Sequence, residues 1–191
     1  GKQYESAQLL LDTNLHHGNF LEILLLLSEF DPVLQNYIEE ISTLSKKSQL
    51  RLTLLSKTTI NYLIDIMANL IKKQIVAEVC EAKMFSIEID STQDISVADQ
   101  MTIILRYMPT EGKIPKERLF SVVQCKSSTG MIIKEQICEN LRNTGIDLKY
   151  QIGNSTDGAA NMQGTYNGFS SHLSPVVPEQ IHIWCYAHIL N

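Results

Sequence analysis

At 191 residues, with 44% hydrophobic and 19% charged side chains, the chain has the composition of a globular protein, long enough for one full core and an appended helical piece, which excludes a disordered tail. A formal net charge of −5 excludes a surface that grips phosphate backbones by charge alone, because such domains are basic, while leaving room for acidic side chains gathered around a cation. The one dense apolar run, at 20–27, is interrupted by Glu22 and is far shorter than the ~20 residues of a membrane-spanning helix, so no membrane association is expected.

Residues 1–19 are polar, and His16-His17-Gly18-Asn19 reads as a solvated loop rather than a metal site, since neighbours at i and i+1 do not share a helix face. Phe20, Ile23, Leu24 and Leu27 then mark a helix that Asp31-Pro32 ends. Pro32 opens a second helix carrying Val33, Leu34, Tyr37, Ile38 and Ile41. Positions 42–49, rich in Ser, Thr and Lys, read as a linker. Ser56 or Thr58 caps a long helix with Ile60, Leu63, Ile64, Met67, Ile71 and Ile75 on its apolar positions, continuing toward Val79. Together these form an N-terminal helical segment over 1–82, ahead of an α/β core over 83–191.

The period changes at Met84. Phe85, Ile87 and Ile89 alternate with Ser86, Glu88 and Asp90, the pattern of a strand with one buried face, and Ser91 to Asp94 are turn formers. Asp90 is therefore expected at the strand end on the polar side, where a carboxylate is held stiffly yet stays open to ions. A second strand over 100–108, a turn around Glu111-Gly112-Lys113 and a third strand over 118–126 follow with short connections, which favours an antiparallel meander. A helix over 131–141 closed by Gly145, a strand over 150–155, a helix over 158–173 and a strand over 181–184 complete the order β-β-β-α-β-α-β.

The most informative run is Asn154-Ser155-Thr156-Asp157-Gly158-Ala159-Ala160-Asn161-Met162. Small residues flank Asp157, so a ligand can approach closely, at a second strand-to-loop junction. Asp157 also suits the plain role of helix cap. Cys185-Tyr186-Ala187-His188 follows a third strand. His182, Cys185 and His188 recur every three residues, but His182 falls in a strand and a structural zinc site needs four ligands, so no structural zinc is expected; a buried Cys and a satisfied His are the plain alternative. The four cysteines, Cys80, Cys125, Cys138 and Cys185, show no Cys-x-x-Cys pair, and with no secretory signal visible a reducing, intracellular compartment is expected.

The pieces His17-Gly18-Asn19-Phe20, 85–94, 100–107 with its Leu-Arg-Tyr, 156–162 and 185–191 jointly resemble the transposase-derived domain of the hAT superfamily, in the branch found in MYM-type zinc-finger proteins and related domesticated transposases. The resemblance implies an RNase H-like mixed sheet preceded by helices and a nuclear location. It also implies three carboxylates that bind Mg²⁺ or Mn²⁺ for phosphodiester hydrolysis and strand transfer on DNA. Asp90 matches the first acidic position, Asp157 the second, and Cys185 with His188 the Cys-x-x-His motif. Both ends of the chain read as cut, and the third acidic residue, a Glu on a late helix beyond a helical insertion, is expected outside it, as are regions for homo-oligomerisation. Two readings follow: the front part of a catalytic transposase core, inactive with two of three carboxylates, or a domesticated, non-catalytic module for nuclear protein interaction or transcriptional regulation. A third, an ordinary α/β binding domain whose strand-end Asp residues are caps and turn formers, needs no family.

Overall fold

The computed structural model describes residues 18–43, 55–93, 99–112 and 114–190. His16, His17, Lys113, Asp94 and most of the expected linker lie outside them. The chain divides into two compact units, residues 1–67 and 68–191.

In the first unit, α1 (Asn19–Ser28) and α2 (Pro32–Thr43) are consecutive helices. Asp31 separates them for a local reason: its carboxylate accepts the backbone N–H groups of Val33 and Leu34, at 2.8 and 3.3 Å. These are orphan donors of the first turn, and Pro32, which has no N–H to lose, sits between. Leu21 and Ile41 form a small core, with Tyr37 and Leu55 packed against it. The helix α3 (Lys57–Ala82) begins in this unit and ends in the second.

The second unit is a five-stranded mixed sheet in the order β3-β2-β1-β4-β5. Its strands are β1 (Phe85–Gln93), β2 (Asp99–Tyr107), β3 (Lys116–Gln124), β4 (Gln151–Thr156) and β5 (Ile181–Trp184). The first three form the expected antiparallel meander, and β4 and β5 add in parallel to β1. The α-helix α4 (Gly130–Asn143) joins the meander to β4 through a 3-10 turn at Leu148–Tyr150; α5 (Ala160–Gln163) and α6 (Phe169–Leu173) join β4 to β5, and α7 (Tyr186–Ile189) follows. This is the RNase H-like arrangement of a mixed sheet with helices.

Period-two alternation decides which face is buried. Phe85, Ile87 and Ile89 on β1 pair in register with Tyr107, Leu105 and Ile103 on β2, and all six are buried. Ile133, Ile137 and Leu141 of α4, Phe169 and Leu173 of α6, and Ile75 and Val79 of α3 complete that core. Each fully buried side chain of this size contributes about 1.5–3 kcal/mol relative to exposure. The opposite face carries Ser86, Glu88 and Asp90 and leaves Leu119, Val122 and Ile183 exposed.

Two expectations change in detail. β1 runs to Gln93 instead of stopping at Asp90, because the antiparallel ladder to β2 continues through Gln93↔Asp99 and satisfies the backbone of the polar residues. The single helix expected over 158–173 is two short ones. Gly168 N–H donates to Gly164 O at 2.9 Å, and a Cβ at Gly168 would lie 2.4 Å from Gly164 N, so two glycines allow a tight turn that interrupts the helix.

Candidate active site

The polar face of β1 meets the carboxyl ends of β4 and β5. The β1–β4 ladder pairs Ile87 with Asn154 and Glu88 with Ser155. Its last rung lies two residues before Asp90 on β1 and two before Asp157, which follows the end of β4. Thr156, the last residue of β4, is fully buried, as Ile89 of β1 is. The third parallel strand delivers Cys185 to the same edge, with Cys185 N–H donating to Thr156 O at 2.9 Å.

Asp90 projects from the open face with its side chain 54% accessible, and His188 Nε2 stands 3.8 Å from Asp90 Oδ1. Cys185 Sγ points at Glu88 Oε1, also at 3.8 Å. Cys185 caps the short helix α7 and His188 lies one turn along it, so the Cys-x-x-His spacing brings both side chains over β1. Thus His188 is brought to Asp90 and Cys185 to Glu88, a residue that the strand-end and Cys-x-x-His patterns do not include. Its signal was present in the alternation, since a residue two before Asp90 on a strand must share its face.

Asp157 is engaged differently. Its Oδ1 accepts Ala159 N–H at 3.2 Å, while its backbone oxygen accepts Gln163 Nε2 at 2.8 Å. The helix cap itself is Ala159, with no side-chain capping bond. The carboxylate therefore orders the turn that leaves β4 and keeps its second oxygen clear of this bond. Gly158 serves the same turn: a Cβ there would lie 2.5 Å from Trp184 Cζ2, so the indole covers the backbone next to Asp157.

The donor set is of two kinds. The carboxylates of Asp90 and Asp157 are hard oxygen donors suited to Mg²⁺ or Mn²⁺, and Asp90, exposed and contacted only at 3.8 Å by His188, has lone pairs to offer. Cys185 and His188 are softer. Among the described residues, no three His, Cys, Asp or Glu side chains already stand close enough to hold an ion.

Behind the site, Asn154 is buried at the β4–β5 junction. Its Nδ2 donates to Gln180 Oε1, which turns its Oδ1 to His182 Nδ1. His182 therefore carries its proton on Nδ1, and its Nε2 is buried without a partner. Burial pushes the His182 imidazole below its ordinary value.

Residues 11–168 match the model of the DUF4371 family, described as ZMYM1/FAM200, RNase-like domain.

Proposed function

Because the chain belongs to the ZMYM1/FAM200, RNase-like domain family, we propose that it is a hAT-type transposase-derived catalytic fold in which Asp90 and Asp157 together bind Mg²⁺ or Mn²⁺ against the phosphate backbone of DNA. The family supports a transposase-related origin. The observation that supports the finer reading is the parallel β1–β4 ladder, whose last rung, Glu88↔Ser155, lies two residues before each carboxylate. A divalent ion held there would supply charge stabilisation at phosphoryl oxygens. The protein's part is to fix the carboxylates: the β1–β2 ladder holds Asp90 opposite Thr102, and the Ala159 N–H holds Asp157. The role is nuclear, by the same resemblance.

Calorimetric titration with Mn²⁺ tests this reading. Asp90→Asn and Asp157→Asn should each weaken binding, and equal affinity in both variants and the parent sequence would remove the site.

A second reading, a non-catalytic module for nuclear protein interaction or transcriptional regulation, is favoured by one observation: Asp90 already faces His188. Strand-cleavage assays with Mn²⁺ separate the two. Cleavage lost in Asp90→Asn supports the first, and no cleavage under any metal supports the second.

A further inference from the structure

We propose that Trp184 is a positioning residue for Asp157: it grips the chain on both sides of that carboxylate and so sets where the carboxylate stands. The inference rests on the reading of Asp157 as a metal ligand. Asp90 lies within β1, opposite Thr102 in the ladder to β2. Asp157 lies one residue beyond β4, which ends at Thr156, so something other than a strand pairing has to hold it. Its own turn gives it the Ala159 N–H at 3.2 Å on Oδ1 and Gln163 Nε2 at 2.8 Å on its backbone oxygen. That turn is open to solvent, with Gly158, Ala159 and Ala160 all exposed.

Trp184 supplies support from the neighbouring strand. Its backbone pairs with Thr156 in the β4–β5 ladder, and the next N–H, that of Cys185, donates to Thr156 O at 2.9 Å, so the tryptophan is tied to the residue just before Asp157. Its indole lies on the residue just after. A β-carbon at Gly158 would stand 2.5, 2.8 and 3.0 Å from Cζ2, Cε2 and Nε1 of the ring, so glycine alone fits beneath it. One residue therefore closes a bracket over 156–158 with Asp157 in its middle. Trp184 stays 47% exposed, so it gains less from burial than a core aromatic would; what it covers is this turn. Partners that orient a ligand in this way matter to the ion: removing one typically costs about 10- to 100-fold in metal affinity.

Two measurements on the whole chain test this: amide hydrogen exchange without metal, and calorimetric titration with Mn²⁺. Trp184→Ala should remove protection at the Ala159 amide, the donor to Asp157, and should weaken Mn²⁺ binding by about 10- to 100-fold. Trp184→Phe, which keeps a flat ring over the turn, should recover most of both. Gly158→Ala displaces the indole without removing it, and carries the test should Trp184→Ala fail to fold. It should weaken Mn²⁺ binding in the parent sequence yet change little in the Trp184→Ala background, because both substitutions act on one contact. Ala159 exchange that is the same with and without the indole would overturn the proposal. So would Mn²⁺ affinity lowered by Asp157→Asn but untouched by Trp184→Ala, or strictly additive losses in the double variant. If Asp157→Asn leaves Mn²⁺ affinity unaltered, the metal reading falls by itself, and the Ala159 exchange still decides whether Trp184 holds the turn.

Discussion

The imidazole of His188 stands 3.8 Å from the carboxylate of Asp90, so the last helical turn described reaches back over the first strand of the sheet. Both side chains are well exposed, and an exposed pair at this distance is worth less than about 1 kcal/mol. His188→Ala should therefore change the thermal midpoint by no more than roughly 4 °C in a chain of this size, measured by circular dichroism. A larger drop would mean that His188 holds the fold together rather than facing a site.

A buried-edge network makes the opposite prediction. Tyr107 O–H and Lys116 Nζ both donate to Glu78 Oε2, at 2.6 and 2.9 Å, tying α3 to the β2–β3 hairpin. Lys116 first, then Tyr107 and Gln74, hold the Glu78 carboxyl down to about 2, while burial and the Glu78 bond push Tyr107 up to about 12. A depressed carboxylate stabilises the fold above its unfolded value of about 4.5 and loses that contribution as pH falls toward 2. Glu78→Gln should cost about 2 kcal/mol at neutral pH and flatten the pH dependence of Tm between roughly 4.5 and 2. An unaltered acid profile in the variant would remove Glu78 from this role.

His182 gives a second pH window. Its buried Nε2 has no partner, so the neutral ring is the form that the fold accepts, and burial lowers its pKa from 6.5. For a base depressed in the folded state, stability is fully present above the unfolded value and is lost as pH falls below it. Tm should decline below about pH 6.5, and His182→Gln should remove that part of the decline. If the slope between pH 6.5 and 5 is the same in both proteins, His182 is not its source.

Gly153 tests how β5 is seated. A Cβ at this position would lie 2.7 Å from the Ile181 carbonyl oxygen, a backbone atom that cannot swing aside. Gly153→Ala should push the edge strand off β4 and destabilise by about 1–3 kcal/mol. Hydrogen exchange should rise first at 181–184; exchange unchanged there would contradict the close seating.

Much of this architecture was legible in the sequence for simple reasons. Alternation over 85–90 fixed the buried face of β1, and the short connections to β2 and β3 fixed an antiparallel meander, both local effects. The Asp31-Pro32 helix boundary was equally local. The length of β1 was not legible, because Ser91 to Gln93 become strand only through pairing with β2. Nor was the break between α5 and α6, which depends on close approach of Gly164 and Gly168. Of the candidate site residues, Asp90 and Asp157 stood out from their places at expected strand ends, and Cys185 with His188 from the family resemblance. Glu88 did not, because its partner Cys185 arrives from β5, and no spacing along the chain reports which strand will lie across the sheet.

Mn²⁺ paramagnetic broadening of backbone amide signals tests most directly whether Asp90 and Asp157 share one divalent ion, as proposed. At substoichiometric Mn²⁺, the account predicts that the amides of Asp90, Ser91, Asp157 and Gly158 broaden together, and that Asp90→Asn relieves the broadening at Asp157 as well as at its own position. Broadening confined to one of the two segments, or persisting at Asp157 in the Asp90→Asn protein, would contradict it.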